Sequence, residues 1–371
     1  MIICLQLSQQ NKDELDALLI EGQYRDYSEA VTVAISNQLL LHRSATTGAN
    51  ATMILTTETA KRHSGDSHPS HPSSNGIPSL FSALEGQSGR TIKTDPLNLD
   101  GFAQGEAISI DQWIWGQHNK LLPAKAACRA IARLTMRESQ PNDGIPLSKA
   151  ATEIASEAVK LGDYLRRKDR ELGLQRDEIL AHAFPKSEAE VEGKSRLRFA
   201  SQFVGSIDSQ GVFTGLPADL KLLATDGPRG TRIHLTDHGW TFACMENPVL
   251  DADHTQPGRK FTADEVDFLF KHIIQSVPYE AFAFTTVVRL IANGANTPDL
   301  LDQALREFLP ERDGKGFSSS FLTTQRAGVI SRLSDLGFVA RVRDGIKVAY
   351  AVSGHGYDCF AQLINGTAQP Q

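Results

Sequence analysis

Long apolar runs and paired cysteines are both lacking in this chain of 371 residues. No stretch approaches the roughly 18 apolar residues that a membrane-spanning helix needs. The N-terminus shows neither the basic nor the apolar region of a signal peptide. The four cysteines are far apart and form no C-x-x-C pair. The sequence therefore predicts no membrane partner, no disulfide framework and no zinc knuckle, and it favours a reducing cytoplasm.

Catalytic motifs are lacking as well. The sequence contains no Walker A loop, no G-x-S-x-G and no H-E-x-x-H. His63, His68 and His71 lie in a tract rich in Ser and Gly, which favours a solvated segment over a metal site. His238 and His355 each precede a glycine at a predicted turn, where a structural role is favoured over general-base catalysis. We therefore predict a protein that is not an enzyme and uses no cofactor or metal; an enzyme without a recognised motif is the alternative.

The charge of the chain excludes binding to nucleic acid through a uniformly basic surface. The net charge is −6, whereas non-specific nucleic-acid binders are usually basic overall. Residues 123–243, however, carry 18 Lys and Arg against 16 Asp and Glu. Any contact with DNA is therefore expected from local basic faces, and this region is favoured for it.

Composition divides the chain into four parts. Residues 1–43 are patterned, and residues 44–100 are dominated by Ser, Thr, Gly, Asn and His without apolar periodicity. This composition predicts a disordered linker. A short apolar run at 78–84 within it is interpreted as a transient helix, with a docking motif as the alternative. From residue 101 the sequence is typical of a folded body, which we divide into units at 101–255 and 256–371.

The first 43 residues predict one strand followed by two helices. Ile3, Leu5 and Leu7 alternate with polar residues as in a strand with one buried face. Leu15, Leu18 and Leu19 form an amphipathic stripe, and Ser28 begins a second helix. A single strand leaves both its edges unpaired, so we expect two chains to pair their strands in a homodimer or higher oligomer.

This segment resembles the ribbon-helix-helix family of repressors and antitoxins. The resemblance is carried by Leu5-Gln6-Leu7-Ser8, the leucine stripe, and Tyr27-Ser28-Glu29-Ala30-Val31. It implies that the outward residues Cys4 and Gln6, together with Ile2, enter the DNA major groove, and that the helix start at Ser28 contacts phosphate. Dimerisation without DNA contact is the alternative for this module.

The body predicts two successive sets of helices, each ending in strands. The predicted helices of the first set span 122–136, 149–172, 176–183 and 186–205, and its strands span 220–224 and 231–236. A capping box at Thr262–Glu265 begins the second set. Its further helices span 278–292, 298–308 and 318–336, and its strands 338–343 and 347–352 join across Asp344-Gly345.

The two sets end alike, which indicates an internal repeat. In each, a strand leads to a hydroxyl residue, then His-Gly and an aromatic residue, as in Thr236-Asp237-His238-Gly239-Trp240 and Ser353-Gly354-His355-Gly356-Tyr357. The pattern resembles the end of the wing in winged-helix DNA-binding domains. The resemblance implies a third helix in the major groove. The fold class is therefore predicted as mainly α with small β elements: a ribbon-helix-helix module plus two winged-helix-like units.

Candidate recognition helices follow from angular placement at 100° per residue. In the first unit, Leu197, Ala200 and Val204 are expected on the buried side, opposite Lys194, Arg198, Ser201 and Gln202. In the second unit the candidates are Thr324, Gln325 and Arg332. The hairpins add basic residues suited to the DNA backbone, namely Arg229, Arg232, Arg341, Arg343 and Lys347.

Together these features predict sequence-specific binding of double-stranded DNA in a prokaryotic cytoplasm, associated with the nucleoid. The process would be transcriptional regulation, or the partition or replication of a plasmid or mobile element. The alternative is a non-catalytic interaction subunit of a nucleoprotein or defence assembly, which would bind a protein through its linker or its winged-helix units.

Overall fold

The computed structural model describes most of the chain from residue 76 onward. The described residues are 76–92, 108–138, 144–187, 189–208, 210–226, 231–252, 258–309, 317–345 and 347–365. They belong to one compact unit, residues 72–371. The predicted ribbon-helix-helix module lies outside them, and so do Cys4, Gln6, Ser28 and Arg229.

The first set of elements is mainly helical with two small antiparallel sheets. Its long helices are α1 (Leu121–Arg137), α2 (Leu147–Glu171) and α3 (Ala189–Phe199), and a π-helical turn at Ala200–Val204 continues α3. The short elements are β1 (Ile145–Pro146), β2 (Ser206–Ile207), β3 (Phe213–Thr214), α4 (Leu216–Asp219), β4 (Leu223–Thr225), β5 (Arg232–Leu235) and α5 (Asp237–Cys244). The strand order in the larger sheet is β1-β5-β4, with Ile145 opposite Ile233 and Leu223 opposite Leu235.

The second set consists of α6 (Ala263–Ser276), α7 (Pro278–Ala292), α8 (Pro298–Phe308), α9 (Ser319–Asp335), a hairpin of β6 (Val339–Asp344) and β7 (Lys347–Val352), and α10 (Gly354–Asn365). The capping box is confirmed, because the Thr262 hydroxyl accepts a hydrogen bond from the Glu265 amide and the Glu265 carboxylate accepts one from the Thr262 amide. The coarse prediction of a mainly helical chain with small β elements is therefore correct. Among the helices placed by the structure, none is both long and apolar enough to cross a membrane.

Part of the predicted linker is packed against the body, so the prediction of disorder is wrong for residues 76–92. Leu80, Phe81 and Leu84 are buried in the main core. Arg129 of α1 donates a hydrogen bond to the Phe81 carbonyl, and Arg133 donates to the carbonyls at Ser82 and Ala83. Three apolar side chains bury their surface here, while the two α1 arginines donate hydrogen bonds to the carbonyl groups of the segment.

A buried ion pair and a hydrogen bond to a buried carboxylate connect the two sets of elements. Lys125 of α1 lies 2.9 Å from Glu265 of α6, and both side chains are fully buried. Lys260 contacts Asp335 of α9 at 2.7 Å, and the same carboxylate accepts a hydrogen bond from the first amide of α1, at Leu121. One continuous hydrophobic core runs through residues of both sets. The two predicted units therefore share an interior.

The sequence repeat corresponds to a repeated structural junction. Thr236 caps α5 by accepting from the Gly239 amide, and Ser353 accepts from the Gly356 amide at the start of α10. Each hydroxyl also donates to a carbonyl at the preceding strand or turn. A side chain at Gly239 would overlap the Leu222 carbonyl, and one at Gly356 would overlap the Phe338 carbonyl. The hydroxyl and the second glycine of each repeat therefore have equivalent structural roles.

Candidate nucleic-acid interface

An exposed polar stripe runs along α3, as the sequence predicts. Lys194, Arg198 and Ser201 are exposed, and they lie at the i, i+4 and i+7 spacing of one helix face. The opposite face is fixed by aromatic packing: Phe199 is buried between Phe184, at 5.8 Å between ring centroids, and Phe203, at 5.3 Å. The π-helical turn begins at Ala200, and Gln202 within it is half-buried. The face therefore presents Lys194, Arg198 and Ser201 to solvent.

Leu197 is on the same exposed face, which corrects the sequence-based placement. It was expected on the buried side with Ala200 and Val204, yet its side chain is 70% exposed. The inward stripe is instead carried by Phe199 and Phe203, one helical turn apart. These rings bury more apolar surface than a leucine would, and they set the rotation of the helix.

Lys194 and Arg198 have no charged partner among the residues that the structure describes. Neither side chain forms an ion pair or a hydrogen bond with any residue that the structure describes. Ser201 donates its hydroxyl hydrogen to the Arg198 carbonyl at 3.0 Å, which leaves its oxygen able to accept. Two cations without partners on one helix face are available to an external anion.

The sequence predicts that Arg232 of the first hairpin contacts DNA, but its guanidinium forms a hydrogen bond within the protein. Arg232 lies in β5, where it is half-buried and donates from Nη2 to the Gly144 carbonyl at 2.7 Å. Its guanidinium thus ties β5 to the segment before β1. Arg232 is not a free cation beside α3.

The placement of Gln325 and Arg332 on an exposed recognition face is wrong. Gln325 is buried, accepts from the Gly116 amide at 2.5 Å and donates to the Ile110 carbonyl at 3.0 Å. The backbones of Gly116 and Gly328 are in direct contact, so residues 110–118 lie across this face of α9. Thr324 is half-buried and donates its hydroxyl to the Ser320 carbonyl.

Arg332 is fully buried in a salt bridge. Its Nε and Nη2 donate to the two oxygens of Glu280 at 2.5 and 2.9 Å, and its Nη1 donates to the His118 carbonyl at 2.8 Å. Burial raises the pKa of Glu280, and the adjacent guanidinium opposes that shift. The Arg332 guanidinium therefore donates hydrogen bonds to the Glu280 carboxylate on α7 and to the His118 carbonyl on the segment before α1.

The second hairpin is also partly used inside the protein. Arg341 forms an ion pair with Asp177, and Arg343 lies 3.8 Å from the same carboxylate. Lys347 is exposed. Asp177 belongs to a single 3-10 turn, Arg176–Glu178, where the sequence predicted a longer helix. Two of the three basic side chains on this hairpin are thus directed toward an internal carboxylate.

The described residues offer no candidate metal site. In the stretches from 76 to 365 that the structure describes, no group of three or more His, Cys, Asp or Glu could hold a metal ion. Comparison with protein-family models, curated proteins and solved structures finds no match to this chain. The interpretation of the α3 surface therefore depends on its own geometry and charge.

Proposed function

We propose that the protein binds double-stranded DNA in a sequence-specific manner and inserts α3 into the major groove. The observation that carries this proposal is the exposed face of α3, where Lys194 and Arg198 have no partner among the described residues. Arginine and lysine at such a position donate hydrogen bonds to guanine edges or to phosphate.

The order of elements around α3 supports the same proposal. Helix α1, strand β1 and helices α2 and α3 occur in this order, strands β4 and β5 come after the intervening β2, β3 and α4, and β1 pairs with β5 in the sheet. A winged-helix domain has three helices and a terminal hairpin, and its third helix reads the groove. This order of elements supports the proposal that α3 is the recognition helix.

The second set has a similar order but a different role in our proposal. Helices α7, α8 and α9 precede the β6–β7 hairpin, and the Tyr350 amide donates to the Asn296 carbonyl between α7 and α8. The polar face of α9, however, is covered by residues 110–118. We propose that this second winged-helix-like unit supports the first and does not read DNA through Gln325 or Arg332.

Residues 1–43 complete the proposed assembly as a ribbon-helix-helix dimerisation module. Two tethered DNA-binding bodies gain avidity without a fixed spacing between them. Such an arrangement suits a transcriptional regulator, or a plasmid or mobile-element partition or replication factor. Sedimentation of the chain with and without residues 1–43 tests the proposal, because removal should yield a smaller oligomer; an unchanged mass would exclude the module as the dimer contact.

The DNA proposal is tested by selecting binding sites from random DNA and then measuring Arg198→Ala and Lys194→Ala across a range of salt concentrations. A base-reading arginine should cost about 1–3 kcal/mol of binding free energy and relax preference at one position. A phosphate contact should weaken all sequences alike and lower the salt slope by about one. Arg137→Ala is the matched control, since Arg137 is 53% exposed on α1 and lies 3.6 Å from Glu153. Wild-type affinity in both α3 variants, with normal melting, would refute the proposal.

A protein-interaction role is the second candidate, and the exposure of Leu197 favours it. A leucine 70% exposed between two cations is suited to burial against an apolar partner surface. Leu197→Ala separates the two functions. It should change DNA affinity less than Arg198→Ala if the helix reads DNA, whereas unchanged DNA affinity in both variants would favour a protein partner.

A further inference from the structure

Four basic side chains lie close to two carboxylates where the two sets of elements meet. Asp335 ends α9, and Asp177 belongs to the 3-10 turn after α2. Lys260 connects them, because its Nζ contacts the Asp335 carboxylate at 2.7 Å and donates to the Asp177 carbonyl at 2.9 Å. We call the basic residues the junction cluster: Lys120, Lys260, Arg341 and Arg343. Its cations outnumber the neighbouring carboxylates, which favours the binding of an anion.

Lys120 has no hydrogen-bond acceptor, although its side chain is only 11% exposed. The oxygens of Asp335 accept from Lys260 and from the Leu121 amide, and Lys120 Nζ lies 3.8 Å away, beyond hydrogen-bonding distance. Its side chain donates to no other residue in the described ranges. Nζ is not one of the fully enclosed polar atoms without a partner, so solvent or a small ligand reaches it. An ammonium group with three donors is therefore available at the edge of the protein interior.

The same pattern recurs at the second carboxylate of the cluster. Arg341 forms an ion pair with Asp177, whereas Nη2 of Arg343 lies 3.8 Å from the other carboxylate oxygen. Arg343 is partly exposed, and its guanidinium forms no hydrogen bond with the residues placed by the structure. Each carboxylate thus engages one cation closely and leaves a second cation with donors that an external oxyanion can use.

His182 lies in the field of the same charges. Partial burial lowers the pKa of His182, the positive charges of Lys120 and Lys260 lower it further, and the nearby carboxylates oppose that shift. The imidazole is exposed and is largely neutral at pH 7. An anion bound beside Lys120 would offset the positive charge around the ring and raise its pKa. His182 therefore reports whether the junction cluster is occupied.

The loop that carries Asp177 and His182 has an unusual backbone. Arg176 and Ala183 have φ angles of 51° and 67°, in a region that residues with a side chain rarely adopt. A third nearby carboxylate, Asp169, is occupied by two successive backbone amides of this loop. Strained conformations of this kind persist where the surroundings fix them, and they are common at ligand-binding sites. The loop is thus held in a shape that keeps both side chains at the cluster.

We propose that the junction cluster binds the terminal phosphate group of a small phosphorylated ligand. Lys120 and Arg343 donate to the phosphate oxygens, because these two cations have no closer acceptor. A terminal phosphate carries a charge of about −1.5 to −2 at pH 7, whereas a phosphate of the DNA backbone carries a single charge. The recessed Lys120 ammonium favours a small ligand over the rigid backbone of a duplex. No residue of α3 takes part, so this proposal and the DNA proposal can fail separately.

The test uses the full chain with inorganic phosphate as the probe, and with chloride at equal ionic strength and a short DNA duplex as comparisons. The pKa of His182 is measured by NMR in each solution. Phosphate should raise this pKa toward the ordinary value of histidine, whereas chloride and the duplex should leave it unchanged. The same signal, followed as phosphate is added at constant pH, gives the phosphate affinity.

Lys120→Gln should weaken phosphate binding about tenfold, the size expected for one hydrogen bond to a charged group. The variant should fold, because the ammonium makes no hydrogen bond in the described chain. Arg343→Gln, at a partly exposed position, should weaken binding in the same direction. Lys160→Gln is the matched control, since it removes one lysine charge from α2 at a side chain that is 56% exposed, and it should bind phosphate as wild type does.

Three outcomes would overturn the proposal. The first is a His182 pKa that phosphate does not raise, and the second is an equal effect of Lys120→Gln and Lys160→Gln on phosphate affinity. The third is a His182 pKa that responds to the duplex but not to inorganic phosphate, which would assign the junction cluster to the DNA backbone.

Discussion

At the scale of single residues, Arg198 and Arg332 have opposite environments, although the sequence predicts that both lie on the exposed face of a recognition helix. Arg198 is exposed and has no partner in the described part of the chain, whereas Arg332 is fully buried and held by Glu280 and the His118 carbonyl. When a buried ion pair loses one partner, water cannot solvate the charge that remains. Removing one partner therefore lowers the free energy of unfolding by more than the intact pair contributes to it. We therefore expect Arg332 to contribute to stability and Arg198 to the proposed contact with DNA.

We predict that Arg332→Met lowers the free energy of unfolding by about 3–5 kcal/mol, because it leaves the Glu280 carboxylate buried without its cation. The double variant Arg332→Met/Glu280→Met should recover most of that loss, since it removes both charges and keeps apolar volume. Urea denaturation measures both, and Arg198→Ala is the control that should melt as wild type. A double variant no more stable than the single one would contradict this explanation.

The error at Gln325 and Arg332 has a physical cause that local sequence does not reveal. Angular periodicity places Thr324, Gln325, Gly328 and Arg332 on one face of α9, and it is silent on what covers that face. The covering groups, the Gly116 amide and the His118 carbonyl, are more than 200 residues away in the sequence. At α3 the same reasoning succeeds for Lys194 and Arg198, because nothing in the described chain covers them.

At the scale of elements, local signals predicted helix starts well. Thr262, Thr297 and Ser318 cap α6, α8 and α9 through side-chain hydrogen bonds, and Gly345 at φ 59° allows the tight β6–β7 turn. The two-residue strands β1, β2 and β3 were not predicted, since so short a stretch shows no periodicity. Their pairing depends on contacts that are distant in sequence, such as Pro146 with Arg232.

The repeated junction leads to a prediction about its glycines. Gly239→Ala and Gly356→Ala should each lower the melting temperature, because the added methyl group would overlap a carbonyl at the preceding turn or strand. Overpacking of this kind typically costs about 1–3 kcal/mol. Gly354→Ala is the control within the same repeat, as the space around it is open.

Differential scanning calorimetry of the three variants checks the junction. We expect Gly354→Ala to melt at the wild-type temperature, and Gly239→Ala and Gly356→Ala to melt at lower temperatures. A neutral result at both Gly239 and Gly356 would show that the close approach to Leu222 and Phe338 is easily relieved.

At the scale of the whole molecule, the boundary near residue 255 separates two similar sets of elements that are not independent. Lys125 is buried against Glu265 across it, and Asp335 accepts the first amide of α1. Arg129 of α1 also holds Asp251 with two hydrogen bonds, just before that boundary. Sequence patterning indicated two units because each set has its own helices and hairpin. It could not show that their interiors are joined, since the joining residues are charged and are usually assigned to the surface.

We therefore predict that residues 72–371 unfold in one cooperative transition. Tryptophan fluorescence and far-UV circular dichroism should give the same midpoint in urea, because separating the two sets would part the buried pair Lys125–Glu265 and remove the Leu121 amide from Asp335. Fragments 72–255 and 256–371 expressed alone should be unfolded or aggregated, whereas their co-expression should yield a complex with a native-like spectrum. A cooperative melt of fragment 256–371 alone would show instead that the second set is a separate domain, and the joining ion pairs would then be contacts between two independently folded bodies.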